Sequence, residues 1–81
     1  MKIKVKFFAS LRRIVGLDEL EMEFNEGTKI DQVVESLKTD FPELEKPMKF
    51  TVISLNHKYA RGERILEDGD ELTLLPPIAG G

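Results

Sequence analysis

The chain has no cysteine and no tryptophan, and only one histidine and one tyrosine among its 81 residues. Without cysteine there is neither a disulfide framework nor a thiolate metal site. A single histidine, His57, cannot build a His-rich metal site. Long hydrophobic runs are missing too, and the longest present are far too short to span a bilayer. The opening "MKIKVKFFASL" alternates instead of setting a continuous apolar stretch behind a charged head, so it does not read as a signal peptide. Nor is there a surplus of positive charge. Acidic and basic side chains are interleaved and sum to −3, whereas a nucleic-acid binder needs a basic stripe. What remains is one mildly acidic, soluble domain, expected in the cytoplasm with neither a membrane nor a nucleic-acid partner. Its length is near the lower limit for a core that stands without staples.

Turning to what is there, Lys2 to Phe8 alternates with the period of a half-buried strand. Ile3, Val5 and Phe7 are expected to face a core and Lys2, Lys4 and Lys6 to face out. Phe8 then falls on the lysine-bearing face. "ASLRRIVG" reads as a short helical turn stopped by Gly16. "ELEMEF" alternates again, with Leu20, Met22 and Phe24 inward and Glu21 and Glu23 outward. Lysines on one strand and glutamates on the next predict a hairpin-like pair with cross-strand ion pairs. After the turn "NEGT", Thr28 is the expected N-cap of a helix with Asp31 in its first turn. Ile30, Val33, Val34 and Leu37 give that helix one apolar face, and it should end before Pro42. "FPELEKPMK" reads as a connector, "FTVISL" as a strand, "NHKY" as turn-like and "LTLL" as a last strand with Leu72 and Leu74 inward. One amphipathic helix and about four strands predict an α+β fold, a mixed sheet with a single helix packed across it.

The sequence offers little for catalysis. His57, three serines (Ser10, Ser36 and Ser54) and scattered carboxylates form no evident nucleophile–base pair. The acidic "EDGDE" lacks the ligand spacing and closing Glu of a calcium loop, so it reads as a tight turn with Gly69 at positive φ. No metal site is expected. Phe8 and Leu75 are more informative, because counting by twos puts both on the outer sheet face. If the first and last strands are neighbours, the two side chains meet at the root of the C-terminal tail, where Tyr59 can join them as a docking patch.

The tail itself is "PPIAGG". Pro76 and Pro77 fix φ and favour an extended path. At about 3.1 Å per residue, Pro76 to Gly81 can reach on the order of 18 Å from the sheet. Ile78, Ala79 and Gly80 would thread a channel, since Gly has no Cβ and fits where other residues do not. The division expected is a domain over 1–75 and a tail over 76–81.

Over essentially its whole length the chain resembles the small subunits of molybdopterin synthase, the ubiquitin-like sulfur carriers. "FFASLRRIVG" (Phe7 to Gly16) and the terminal "PPIAGG" carry the resemblance most specifically, with "EGT", "LNHKYA" and "EDGDEL" between them. His57 departs from the glycine or small polar residue common in relatives, and Leu75 stands where an aromatic is frequent. The resemblance implies a β-grasp (ubiquitin-like) roll with the first and last strands parallel in mid-sheet. It also implies that the Gly81 carboxylate is adenylated by an E1-like enzyme using ATP, then becomes a thiocarboxylate. The large catalytic subunit, in a heterotetramer, would use that sulfur to build the dithiolene of molybdopterin. This chain would bind no cofactor, and Arg12 would join Phe8, Tyr59 and Leu75 in partner docking. Three alternatives stay open: a protein modifier joined through Gly81 to lysines, a carrier for thiamine or tRNA modification, and a bare β-grasp binding module.

Overall fold

In the alternating stretch at the N-terminus, β1 (Lys2–Phe7) buries Ile3, Val5 and Phe7 and leaves the lysines on the other face. The computed structural model describes residues 1–77. β1 is followed by the short helix α1 (Ala9–Val15), whose Leu11 is buried and whose end is set by Gly16 at φ 82°. The Gly16 N–H donates to the Arg12 carbonyl at 2.7 Å, satisfying one of the last free carbonyls. Antiparallel to β1 runs β2 (Glu19–Glu23), with Ile3 level with Met22 and Val5 level with Leu20. Leu20, Met22 and Phe24 pack against the core while partly exposed.

The main helix, α2 (Ile30–Asp40), lays Ile30, Val33 and Leu37 into the core. Its N-cap is Lys29 and not Thr28 as expected. Thr28 is already committed elsewhere. Its hydroxyl donates to the Asn25 carbonyl at 2.7 Å, and its carbonyl accepts the Leu66 N–H at 2.9 Å. The helix start is instead closed by a distant loop: Ile30 N–H donates to the Arg64 carbonyl and Asp31 N–H to the Gly62 carbonyl, at 3.0 and 2.9 Å. Gln32 Oε1 accepts the Lys29 N–H at 2.8 Å, tightening the same end.

The connector is more ordered than the sequence conveyed. Pro42–Leu44 forms a 3₁₀ turn and Glu45–Met48 a one-turn helix, α3. Leu44 and Met48 close the bottom of the core. Pro47 is tolerated because it sits in a first turn, where its missing N–H would have had no partner. The chain then enters β3 (Val52–Leu55), β4 (Lys58–Tyr59) and β5 (Glu71–Leu75). "NHKY" is thus divided, with Asn56–His57 as the turn and Lys58–Tyr59 as a strand.

The five strands form one mixed sheet in the order β2-β1-β5-β3-β4. β5 is the central strand, parallel to β1 and antiparallel to β3. Leu72 and Leu74 of β5 are fully buried beneath α2 and its neighbours. Burying a side chain of that size stabilises by roughly 1.5–3 kcal/mol.

Between β3 and β4, Asn56 and His57 have φ of 49° and 70°. Both central residues at positive φ is the type I′ hairpin, whose twist matches that of the strands. Asn56 suits it and is locked further, since its Nδ2 donates to Asp70 Oδ1 and its Oδ1 accepts the Glu71 N–H, both at 3.0 Å. His57 gains no such compensation and carries the left-handed penalty. His57→Gly should therefore raise stability by about 0.5–1 kcal/mol, after the extra chain entropy of glycine is deducted. Urea unfolding would show this as a higher midpoint with unchanged slope.

Candidate functional site

The root of the tail lies where β5 leaves the middle of the sheet. The β1–β5 register runs Lys4 to Glu71, Lys6 to Thr73 and Phe7 to Leu74. One further step brings Phe8, still extended at φ −126°, level with Leu75. The two are 45% and 37% exposed. As expected from the alternation, both face away from the core. On the other side of Leu75 its partner is Val52, 46% exposed. Tyr59, opposite Ser54 and 82% exposed, stands on the adjacent rung of the same face. Phe8, Leu75, Val52 and Tyr59 therefore make one apolar patch. Ser54 and Thr73, small and buried on that outer face, form its floor.

Sequence reasoning missed Val52. The signal was present in the parity of "FTVISL", but it becomes legible only once β3 is paired with β5. Ala9, at φ 50°, turns the chain sharply after Phe8. For a residue with a Cβ this conformation costs on the order of 1 kcal/mol. Such local strain is often found beside functional surfaces.

Arg12 lies on the side of β1 nearer β2. With Lys4, Lys6, Phe7, Phe8, Asp18 and Glu19 it lines a groove of about 350 Å³. Arg13 is not part of that wall. The Arg12 guanidinium is held by Asp18, with Nη1 3.3 Å from Oδ1. Lys4 pairs diagonally with Glu19 at 3.7 Å, and Lys6 with Glu71 at 3.5 Å. Lysine–glutamate pairing across β1 and β2 is thus present, but diagonally and not straight across the ladder. Pro76 is half-buried and Pro77 exposed. Ile78, Ala79, Gly80 and Gly81 lie outside the described residues.

The alternative sites resolve into structure. The acidic turn is a clasp: Asp68 Oδ1 accepts the Lys2 N–H and Asp70 Oδ2 the Glu67 N–H, both at 2.7 Å. Its carboxylates tie the start of β1 to the loop before β5, and Gly69 takes φ 86° as expected. His57 is exposed, with Nε2 3.9 Å from Glu71 Oε1. Among the described residues no three His, Asp or Glu side chains gather to hold a metal. No helix there is long and apolar enough to cross a membrane.

The ThiS family model matches residues 5–81. The chain belongs to the ThiS family. Among curated relatives, the molybdopterin synthase sulfur carrier subunit of Chlamydomonas reinhardtii is 35% identical over 83 residues, covering 100% of both chains. The fold is that of SAMP1 from Haloferax volcanii, with a TM-score of 0.90 at 22% identity and 100% of both chains covered. It also matches a protein–protein complex of subunits 1 and 2 of molybdopterin-converting factor from Helicobacter pylori 26695, with a TM-score of 0.71 at 22% identity and the same coverage. The ubiquitin-like β-grasp roll and the resemblance to molybdopterin synthase carriers both hold.

The patch and the core beneath it should separate cleanly by mutation. Leu75→Lys should change stability by only about 0.5 kcal/mol. Leu74→Ala, one residue earlier and fully buried, should cost about 2–5 kcal/mol. Thermal unfolding of the two variants side by side checks the assignment of faces.

Proposed function

We propose that this ThiS-family chain is the sulfur carrier subunit of a molybdopterin synthase. The observation that carries this reading is the continuity of β5, the central strand, with Pro76, Pro77 and a sequence ending in Gly80–Gly81, beside an exposed apolar patch. The full-length likeness to proteins bearing that name supports it. A carboxylate is a poor electrophile. Attack of the Gly81 carboxylate on the α-phosphate of ATP, in an E1-like activating enzyme, releases pyrophosphate and leaves an acyl-adenylate. AMP is then a good leaving group, and its displacement by a sulfur donor leaves a C-terminal thiocarboxylate. Two such carriers, giving one sulfur each, convert a cyclic pyranopterin precursor to the dithiolene, and water hydrolyses each acyl end so that Gly81 returns to a carboxylate. On this reading the cycle runs in the cytoplasm, a compartment that supplies the ATP it needs.

Catalytic side chains, on this reading, belong to the large subunit, with which the carrier forms a heterotetramer. The division suits a chain that handles sulfur without a cysteine: the sulfur rides on the main-chain end. Phe8, Val52, Tyr59 and Leu75 form the docking face, and Ile78 to Gly80 thread the tail into the partner. Arg12, beside Phe8, contributes at the rim. A second reading, a protein modifier conjugated through Gly81, is favoured by the fold shared with an archaeal protein of that kind. It uses the same activation.

A chain extended by one residue past Gly81 should fold normally yet lose ATP–pyrophosphate exchange with its activating enzyme. Undiminished exchange would overturn the reading. Leu75→Lys should weaken binding to the large subunit by about 2 kcal/mol or more, roughly thirty-fold, as loss of a desolvated anchor does. Calorimetric titration measures it. Mass spectrometry of protein from native cells separates the two readings: sulfur in place of a terminal oxygen marks the carrier, Gly-Gly remnants on other proteins' lysines mark the modifier.

A further inference from the structure

We infer that Arg61 is a specificity-determining residue of the docking face, reading a carboxylate on the rim of the partner's apolar pocket. The inference rests on the proposed docking reading and adds the chemistry of what lies opposite. The β3–β4 ladder pairs Leu55 with Lys58 and Ser54 with Tyr59. It continues one step beyond the strand, because the Ala60 N–H donates to the Ile53 carbonyl at 3.2 Å. The next residue, the exposed Arg61, follows at the open end of this ladder, where the chain leaves β4. Phe8, Leu75 and Val52 form the rung at the tail root, and Arg61 follows Tyr59 and Ala60 at the β4 margin of the patch.

The two sides of the patch differ in how their charge is spent. On the β1 side the three cations nearest the patch are answered within the chain: Lys4 by Glu19, Lys6 by Glu71 and Arg12 by Asp18. On the β4 side, no carboxylate among the described residues lies within ion-pair distance of Arg61 or Arg64. Arg61 and Arg64 are held together by a turn, the Arg64 N–H donating to the Arg61 carbonyl at 3.0 Å. Lys58 and Arg64 line a cleft of about 310 Å³ with Tyr59. A free basic edge on a chain of net charge −3 orients an approaching acidic surface toward this edge and against the rest of the molecule. The planar fork of an arginine engages a carboxylate through two parallel hydrogen bonds, which gives register as well as attraction.

The test uses the full chain and the large molybdopterin synthase subunit from the same organism, with association followed by stopped flow across ionic strength. Arg61→Gln should slow association about five- to tenfold at low salt, and high salt should erase the difference. Lys2→Gln, the same change of charge at the far end of β1, should leave the rate near that of the unaltered chain. Circular dichroism of each variant confirms the fold. Equal slowing by both variants would reduce the effect to net charge and overturn the inference. So would an Arg61→Gln chain that associates normally while Leu75→Lys fails to bind, and that outcome leaves the docking reading intact. If Leu75→Lys also binds normally, the docking reading falls and the inference falls with it.

Discussion

The parallel pairing of β5 with β1 is the constraint on which the molecule depends. It joins the two ends of the chain in the middle of the sheet, and everything else is arranged around that seam. The core face of the seam carries Ile3, Val5, Phe7, Leu72 and Leu74, all buried, and α2 covers it. The outer face carries the apolar patch. Because β5 is central and not at an edge, its terminus leaves the sheet with paired strands on both sides. A tail rooted there starts from backbone that is paired on both sides.

Packing and charge divide the work of holding that seam. Hydrophobic burial supplies the drive, while the "EDGDE" turn and Asn56 set the register through directed hydrogen bonds. Asp68 holds the first residue of β1, and Asp70 holds both its own turn and Asn56. Two loops and the start of β1 meet there. Surface ion pairs such as Lys4–Glu19 add little, since exposed pairs are typically worth 0–1 kcal/mol.

Period-two alternation made much of this legible. The inward set Ile3, Val5, Phe7 and the outward Phe8 follow from "KIKVKFF" alone, and Leu72, Leu74 and Leu75 follow likewise. The helix over 30–40 was readable from its apolar spacing. What could not be read depended on contacts distant in sequence. Thr28 has the side chain of an N-cap, but its carbonyl is taken by Leu66, and no local pattern reports that. Leu44 and Met48 look like linker residues because one-turn helices have no periodicity to detect. Val52 lies on a strand that was recognised, yet its place in the patch depends on which strand lies beside it.

The order of synthesis gives the central position of β5 a further meaning. The strand that completes the sheet is synthesised after the other four, so β1 has no parallel neighbour until β5 has been made. Completion of the sheet therefore waits on a pairing of large sequence separation, from Lys4 with Glu71 to Phe7 with Leu74. A chain cut short anywhere before Leu75 loses the centre of its sheet along with its tail. A stably folded sheet is therefore one whose synthesis reached the root of the tail.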